Sequence, residues 1–282
     1  PPHAHKGMCG RVLVVAGSEG LTGAAALCSR SALRAGAGVV TLGIAAGLNA
    51  IMEVKLTEVM TLPLPDHRGR CLGKGAAEAV LEALDSYDVL ALGPGLGTSP
   101  ETRGEVVRLL KEAEKPVILD ADGINCAAGE PGCLEERPYP TVITPHPGEL
   151  GRLFSLSARE VQDARLEWAA RAAERFSCVV VLKGANTLIA EAGGKVFINP
   201  LTLPGLATAG SGDVLTGCIA ALCSQGLPAL QAAVCGVFLH GKAAELSTHL
   251  VAPIGMVAGD VVAHIPLALS GLLREKEGGK VF

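Results

Sequence analysis

The sequence predicts an α/β fold in which a mostly parallel central sheet carries helices on both of its faces. Short runs of Val, Ile and Leu alternate with longer amphipathic segments along most of the 282 residues. The short runs are apolar at consecutive positions, which is typical of strands that helices bury from both sides. Each run ends in Gly, Pro, Asp or His, so we expect the chain to change direction there.

The elements follow one another in a regular order. The run "RVLVVAGS" (residues 11–18) predicts a strand, "GAAALCSRSALRAGAG" (residues 23–38) a helix, and "VVTLGI" the next strand. Further strands are predicted in "YDVLALGPGLG", "KPVILDADG", "YPTVITPHPGE" and "SCVVVLKGA". Two apolar runs around Gly193-Gly194 predict a β-hairpin, and the pattern is helical from Gly210 onwards. No linker or repeat interrupts this order, so we expect one domain over residues 1–282.

The composition excludes several classes of protein. Hydrophobic residues make up 49% and charged residues 18% of the chain, which excludes a disordered protein. A net charge of -4 offers no basic surface for nucleic acid, and no run of 18 apolar residues predicts a membrane span. Nine cysteines without a Cys-x-x-Cys pair predict free thiols and a cytoplasmic location. The start at Pro1, without an initiating Met, suggests a piece of a longer chain.

Polar and glycine-rich motifs stand at the ends of the predicted strands. They read "GPGLG", "DADG", "TPHPGE", "KGANT" and "AGSGD" in chain order. The carboxyl ends of parallel strands meet at one edge of a sheet, and ligands bind outside that edge. The sequence therefore predicts one functional site that these motifs share.

The motif "AGSGD" places Asp213 at the beginning of an apolar helix. In one interpretation Ser211 or Asp213 caps this helix. In the other, the amides of Gly210, Ser211 and Gly212 stabilise the charge on a transferred phosphoryl group, and Asp213 accepts a hydroxyl proton. A helix amino terminus lowers the pKa of an Asp, so we expect Asp213 to take the proton late in such a transfer. The motif alone leaves both interpretations open.

Two further motifs allow a phosphate site or a purely structural role. The turn "GPGLGTSPET" (residues 93–102) lets the backbone approach a phosphate or a planar ligand, although such turns are more often structural. It matches neither the dinucleotide-binding fingerprint nor the P-loop. In "LKGANT", Lys183 ends a strand and is either a solvated lysine or a basic group beside a phosphate.

Acidic residues and one histidine complete the predicted edge. Two prolines brace His146 in "TPHPGEL", and Glu149 begins the following helix as a first-turn acid or as a partner of Mg²⁺. In "LDADG", Asp120 and Asp122 either cap the next helix or assist a metal. We expect a structural role for these two aspartates.

Taken together, the motifs resemble the ADP/ATP-dependent NAD(P)H-hydrate dehydratases, a ribokinase-like family. The resemblance extends in family order from about His5 to Pro266, nearly the whole chain. It is carried by "HKGMCGRVLVVAGS", "GAAALCSRSALRAGAG", "LGPGLGT", "ILDADGIN", "TPHPGEL", "LKGANT", "PGLATAGSGDVLTG", "HGKAAEL" and "GMVAGDVVAHIP". Each motif alone is weak, but the ordered set is specific. It implies a three-layer ribokinase-like sandwich.

The resemblance also implies a reaction. The enzyme would phosphorylate the ring hydroxyl of hydrated NADH or NADPH, using ADP or ATP with Mg²⁺, and phosphate would then leave to restore the cofactor. ADP would yield AMP and phosphate. A small-molecule kinase of the same fold, acting on a hydroxymethylpyrimidine or a thiazole alcohol, is the alternative, and it would release a stable phosphorylated product. A nucleotide-binding module without turnover would lack the acid, whereas Asp213 is present.

Family roles map onto residues of this chain. Asp213 would activate the hydroxyl while Gly210, Ser211 and Gly212 hold the phosphoryl charge. Glu149 occupies the place of the acid in the Asn-x-x-Glu motif of related sugar kinases and would organise Mg²⁺ through water. The nucleotide-binding residues would be Lys183, Gly184, Ala185, Asn186, Thr187 and Gly212, and the substrate-binding residues would be Ala24, Gly97, His146 and Asp213.

One departure from the family pattern lies before "PG". The family usually has Thr-Gly-Asn there, whereas this chain has Leu201-Thr202-Leu203. The apolar replacement puts the nucleotide contacts and the donor preference in question. The resemblance further suggests a homo-oligomer, a tetramer among the options, and an NAD(P)H-hydrate epimerase as a fused domain or as a partner.

Overall fold

The computed structural model describes residues 9–276, in which a nine-stranded sheet lies between two layers of helices. Residues 5–8 of the first matched motif lie outside the described residues. The strands are β1 (Arg11–Val15), β2 (Val39–Ala45), β3 (Met60–Leu64), β4 (Asp66–His67), β5 (Cys71–Leu72), β6 (Val89–Leu92), β7 (Val117–Leu119), β8 (Thr141–Ile143), β9 (Val179–Leu182), β10 (Leu188–Ala190) and β11 (Val196–Ile198).

Twelve α-helices connect or follow these strands within residues 9–276. They are α1 (Thr22–Arg34), α2 (Ala46–Lys55), α3 (Ala76–Leu84), α4 (Pro100–Glu112), α5 (Asp122–Ala127), α6 (Gly132–Glu135), α7 (Pro147–Phe154), α8 (Ala158–Asp163), α9 (Arg165–Arg175), α10 (Ser211–Ser224), α11 (Ala229–Thr248) and α12 (Ala258–Lys276). Short 3₁₀ turns at Pro204–Leu206 and Pro253–Gly255 precede α10 and α12.

The large sheet has the order β11-β10-β9-β8-β7-β6-β1-β2-β3. All neighbours from β9 to β3 are parallel, and only β10 and β11 pair antiparallel at one edge. The hairpin predicted around Gly193-Gly194 joins these last two strands, with Ile189 opposite Phe197. The mostly parallel sheet predicted from the apolar runs is confirmed.

Side chains of each strand alternate between two apolar cores. Val12 and Val14 of β1 pack with α1, α2, α10, α11 and α12, whereas Leu13 and Val15 pack with the helices of the opposite face. All four side chains are fully buried. Consecutive apolar residues in a strand therefore reflect burial on both faces, and the three layers follow from it.

The strand order reverses at β1, because β2 and β3 follow on one side of it and β6 to β9 on the other. β2 pairs with one edge of β1 and β6 with the other, both parallel to it. Crossovers that diverge in this way open a crevice at the carboxyl ends of the two strands. The loops after β1 and β6 form this crevice, and the hydroxyl of Ser18 joins them by donating to the Gly95 carbonyl at 2.8 Å.

Residues 60–72 were not predicted to form strands. β3 is the edge strand of the large sheet, and β4 and β5 form a separate two-stranded hairpin. Pro63 and Pro65 interrupt the apolar pattern here, and a proline within strand sequence is tolerated mainly at a sheet edge.

The structure tests two expectations from composition, that the cysteines are free thiols and that no segment spans a membrane. All nine cysteines lie among the described residues and are free thiols, and five of them are buried. Across residues 9–276, no helix combines the length and the apolar character needed to cross a membrane.

Candidate functional site

Helix α10 begins without a side-chain cap. Its N-cap residue is Gly210, whose φ of 89° lies in the left-handed region that glycine adopts readily. Neither Ser211 nor Asp213 caps the helix, so the capping interpretation of "AGSGD" is wrong. First-turn amides of a helix have no intrahelical acceptor, and no side chain accepts them here, although the Ser211 amide donates to the Thr208 carbonyl at 3.4 Å. The turn can therefore present amides to an anion.

Asp213 projects from the first turn of α10 and is half-buried. Burial, and after it the nearby carboxylate of Asp120, raise the pKa of its carboxyl from 3.8 to about 7. Asp122 and Glu149 act in the same direction, while the Lys183 ammonium lowers the pKa. The expectation that the helix terminus would dominate and lower this pKa is wrong. An Asp with a pKa of about 7 is well matched to accept a proton.

A buried ion pair lies beside the start of α10. The Lys183 ammonium donates to Asp120 Oδ1 at 2.6 Å and lies 3.6 Å from Glu149 Oε2. The Lys183 side chain is 20% exposed, so it is not the solvated lysine that the sequence also allowed. A Cβ added at Gly212 would lie 3.4 Å from Lys183 Nζ, which places the glycine turn next to the ammonium.

Asp120 and Asp122 have different partners, and neither caps a helix. The residue at the N-cap of α5 is Ala121, and no side chain caps this helix. Asp120 is 1% exposed and joins Lys183, whereas Asp122 accepts the Gly97 amide at 2.9 Å and the Asn125 amide group at 3.2 Å. The proposed cap at the start of α5 is therefore wrong for both aspartates.

His146 and Glu149 form a reciprocal cap at the start of α7. His146 Nδ1 accepts the amides of Gly148 at 3.0 Å and Glu149 at 3.3 Å, and Glu149 Oε2 accepts the His146 amide at 2.8 Å. Glu149 is thus a first-turn acid, one of the two interpretations of the motif. The prolines place the half-exposed His146 ring at the carboxyl edge of the sheet, facing the cavity described next.

A cavity of about 610 Å³ opens between the glycine turn and the β10–β11 edge. Apolar side chains of the segment 201–206 and of α10 and α11 form much of its wall, while Lys183 and Ser211 contribute polar groups. Its lining residues are His146, Lys183, Gly184, Ala185, Thr187, Asn199, Leu201, Thr202, Leu203, Pro204, Leu206, Ala207, Thr208, Ser211, Gly212, Leu215, Val237, His240 and Gly241.

Four of the five residues predicted between Lys183 and Thr187 line this cavity, and Asn186 does not. The Asn186 side chain instead accepts the Thr202 hydroxyl at 2.9 Å. Arg165 supports the same loop from behind by donating to the carbonyls of Leu182 at 3.0 Å and Ala185 at 2.9 Å. The backbone of the loop is thereby fixed on the cavity side.

His240 lines the cavity and was not singled out from the sequence. Its ring lies 3.3 Å from the Ser211 hydroxyl, and burial lowers its pKa to about 4, so the imidazole is neutral. The residue belongs to "HGKAAEL", one of the motifs in the resemblance. A histidine directly after the apolar run "AAVCGVFL" of α11 was the available signal.

The predicted substrate residues lie outside the lining of this cavity, with the exception of His146. Ala24 lies in the first turn of α1 next to the β6 turn, where a Cβ added at Gly95 would lie 2.9 Å from the Ala24 Cβ. A Cβ at Gly210 would overlap Leu27 of the same helix. α1 therefore touches both the β6 turn and the start of α10, the helix whose first turn carries Asp213.

No resident metal centre is evident in the part of the chain that the structure describes. Residues 9–276 contain no group of three or more His, Cys, Asp or Glu side chains that could hold a metal ion. Mg²⁺ commonly binds proteins through one or two carboxylates together with substrate phosphates and water. The few acids here fit a metal that arrives with a nucleotide.

A family model described as NAD(P)H-hydrate dehydratase matches residues 12–267. The chain belongs to this family. The ADP-dependent (S)-NAD(P)H-hydrate dehydratase of Xanthomonas campestris is 32% identical over 273 residues, which are 97% of this chain and 92% of that protein. The bifunctional NAD(P)H-hydrate repair enzyme of Moorella thermoacetica is 45% identical over 273 residues. That match covers 97% of this chain and 52% of the relative, so the chain spans about half the length of the bifunctional proteins.

Solved structures of the dehydratase family share the fold. The ADP/ATP-dependent NAD(P)H-hydrate dehydratase of Bacillus subtilis, co-crystallised with ATP and Mg²⁺, superposes with a TM-score of 0.80 at 31% identity, covering 96% of this chain and 92% of that one. The ribokinase of Thermotoga maritima has a TM-score of 0.53 at 17% identity and shares the fold alone. The predicted ribokinase-like three-layer architecture is confirmed.

Proposed function

We propose that this chain dehydrates hydrated NADH and NADPH, in the S configuration, back to NADH and NADPH with ADP or ATP as phosphoryl donor. The observation that carries the proposal is Asp213, a half-buried acid with a pKa of about 7 at the uncapped start of α10. The turn that carries it contacts α1 at Leu27, and its neighbours Ser211 and Gly212 line a cavity large enough for a nucleotide. Family membership supplies the substrate class.

Phosphoryl transfer comes first in the proposed reaction. Asp213 takes the proton of the ring hydroxyl, and the hydroxyl oxygen forms a bond to the terminal phosphorus of the nucleotide. The bond from phosphorus to the bridging oxygen breaks, which releases AMP from ADP or ADP from ATP. The amides of Gly210, Ser211 and Gly212 would stabilise the charge on the transferred group, and the Ser211 amide would exchange its 3.4 Å contact with the Thr208 carbonyl for the phosphoryl oxygen.

Elimination completes the reaction. The ring C–O bond breaks and phosphate leaves with the electron pair. The enamine nitrogen donates its lone pair to the ring system and so stabilises the electron-deficient carbon. Loss of a proton from the neighbouring ring carbon then restores the dihydronicotinamide double bond. Phosphorylation is needed because hydroxide is a poor leaving group and phosphate a good one.

The cavity is proposed as the nucleotide site. Lys183 provides a cation beside the glycine turn, and Gly184, Ala185 and Thr187 form the adjoining wall. Asn186 would act through its contact with Thr202, since its side chain does not line the cavity. Mg²⁺ would enter with the nucleotide phosphates, with Glu149 organising it through water.

The crevice is proposed as the site of the hydrated ring. Ala24 and Gly97 would contact the substrate from α1 and from the β6 turn, with His146 at the boundary to the cavity. Asp122 holds the Gly97 amide and so fixes the turn for this contact. Leu201 and Leu203 make the nucleotide wall apolar where the family pattern is polar. ADP is proposed as the preferred donor because the chain resembles the ADP-dependent enzyme of Xanthomonas campestris over almost its whole length.

A direct assay tests the proposal. The protein is incubated with hydrated NADH, Mg²⁺ and either ADP or ATP, and recovery of NADH is followed at 340 nm. Recovery with at least one donor supports the proposal, and no recovery with either contradicts it. A stable phosphorylated product without NADH would favour the alternative, a kinase of the same fold.

Two variants make the assay specific. Asp213→Asn should abolish turnover while nucleotide binding, measured by calorimetry, survives. The matched control is Asp88→Asn, because Asp88 accepts the Arg11 amide at 2.7 Å at the opposite edge of the sheet. Near-normal activity of Asp213→Asn would remove this residue from the mechanism.

The assembly of the protein is a separate proposal. We infer a homo-oligomer in the cytoplasm, a tetramer among the options, that works alongside an NAD(P)H-hydrate epimerase. Light scattering of the purified protein measures the oligomer, and a monomer at micromolar concentration would contradict it. Addition of an epimerase to the assay should raise NADH recovery from a mixture of the two epimers.

A further inference from the structure

Asp120 connects more elements of the site than any role in the proposed reaction requires. Its Oδ1 accepts the Lys183 ammonium at 2.6 Å and the Thr144 hydroxyl at 2.7 Å. Its Oδ2 accepts the Thr216 hydroxyl at 2.8 Å. The carboxylate is 1% exposed and so has little access to a ligand. These bonds tie the ends of β7, β8 and β9 to α10.

The bond from Thr216 reaches the helix that carries Asp213. Thr216 follows Asp213 by three residues, so the two side chains share one face of α10. The Thr216 hydroxyl also lies 3.1 Å from the Gly212 carbonyl. Asp120 therefore fixes the helical turn that holds both the proposed base and the glycine amides.

The hydrogen bond from Lys183 to Asp120 fixes the position of the ammonium beside the glycine turn. A lysine carries a compact charge on a flexible four-carbon stem, so the position of its ammonium must be set by its partners. Lys183 has two carboxylates in reach, Asp120 at 2.6 Å and Glu149 at 3.6 Å. The shorter contact holds the ammonium near Gly212, where a Cβ would lie 3.7 Å from Asp120 Oδ2.

We propose that Asp120 is a positioning residue that sets the separation between the Lys183 ammonium and the first turn of α10. One phosphoryl group can then meet the ammonium and the glycine amides while Asp213 faces the acceptor hydroxyl. The inference rests on the proposed function. It assigns to Asp120 no contact with either substrate, since its oxygens are occupied by Lys183, Thr144 and Thr216.

Two variants separate positioning from folding. Asp120→Asn keeps the size of the side chain but removes the charge that holds Lys183. Thr216→Val removes the link to α10 and leaves all charges in place. A displacement of about 1 Å at a reacting group lowers a rate by roughly 100-fold. We expect kcat to fall about 100-fold in Asp120→Asn and about tenfold in Thr216→Val, with KM for hydrated NADH within about threefold of wild type.

The matched control is Asp88→Asn, which likewise replaces a hydrogen-bonded carboxylate by an amide; Asp88 accepts the Arg11 backbone amide and has no contact with the site. It should keep kcat, KM and Tm. Wild-type kcat in either Asp120→Asn or Thr216→Val overturns the inference, as does a loss that lies in KM alone. If Asp120→Asn does not fold, the kcat of Thr216→Val decides the question.

Failure of the proposed function gives a different result. In that case wild-type protein restores no NADH with ADP or ATP, and the inference is tested through nucleotide binding. Calorimetry with Mg-ADP should then show Kd weakened at least threefold in Asp120→Asn and unchanged in Asp88→Asn. Equal Kd values for wild type and Asp120→Asn overturn the positioning role independently of turnover.

Discussion

Asp120 raises the pKa of the Asp213 carboxyl even though Lys183 binds Asp120 at a distance of 2.6 Å. Burial is the larger cause, and together the two bring this pKa to about 7. A base with this pKa is ready to accept a proton near neutral pH, whereas an ordinary aspartate would be far too weak.

The rate of the proposed reaction should therefore depend on pH near neutrality. We expect kcat for NADH recovery to rise with pH and to level off above about 7, because Asp213 must be deprotonated to act as a base. Assays between pH 5.5 and 8.5, at roughly half-unit steps, measure this limb. In Asp120→Asn a negative charge beside Asp213 is lost, which lowers the pKa of Asp213. The rise of the remaining kcat with pH should therefore occur at lower pH. A profile that is flat across this range would contradict the role of Asp213 as base.

Asp213→Asn should make the protein more stable at alkaline pH. The folded-state pKa is raised, so the ionised carboxyl costs stability once the pH exceeds 3.8, and the full cost is reached above about 7. Asparagine imitates the protonated form, and we expect a gain on the order of 3 kcal/mol at pH 8. Urea unfolding at pH 8 and pH 5 measures the gain, which should shrink at the lower pH. An equal gain in the free energy of unfolding at pH 8 and pH 5 would show that it does not come from the ionised carboxyl.

The buried, neutral His240 should lower the free energy of unfolding as the pH falls, whereas Asp213 lowers it as the pH rises. Its folded-state pKa is lowered from 6.5 to about 4, so its contribution is complete above 6.5 and is lost as the pH falls towards 4. His240→Gln cannot be protonated and should lose about 3 kcal/mol less than wild type between pH 7 and pH 4. The exposed His249→Gln is the control and should follow wild type. Identical pH dependence in His240→Gln and wild type would contradict a buried neutral imidazole.

The position of the site could be predicted because it follows from strand direction. Apolar runs mark parallel strands, and parallel strands bring their carboxyl ends to one edge. The motifs around Gly97, His146, Lys183 and Asp213 converge there for this reason alone. Gly193-Gly194 likewise predicts the antiparallel pair at the sheet edge, because a two-glycine turn acts locally.

The chemistry of the site could not be predicted in the same way. Lys183 and Asp120 are 63 positions apart, and Ser211 and His240 are 29 apart, so neither contact leaves a local pattern. The pKa of Asp213 depends on burial by other elements, whereas the sequence shows only the helix terminus that would lower it. Long-range packing decided each of these features.

Arg137 supports the fold on the face of the sheet opposite α10. This buried guanidinium donates to the carbonyls of Leu110 and Ala113, each within 2.9 Å, to the Lys115 carbonyl, and to the Thr141 hydroxyl at 2.9 Å. Leu110 and Ala113 lie at the end of α4, where unpaired carbonyls carry the negative end of the helix dipole. Arg137 thereby joins the end of α4 to the beginning of β8.

Arg137→Met should lower the free energy of unfolding by about 3 kcal/mol. Methionine fills the space but donates no hydrogen bond, so several buried carbonyls lose their partner at about 1 kcal/mol or more each. Urea unfolding at pH 7.5 measures the loss. The control is Arg171→Met, because Arg171 forms an exposed pair with Glu167 worth at most about 0.5 kcal/mol. If both variants lose the same small amount, the end of α4 does not depend on Arg137. Asp213 lies in the opposite helix layer, so kcat should stay at the wild-type value in folded Arg137→Met.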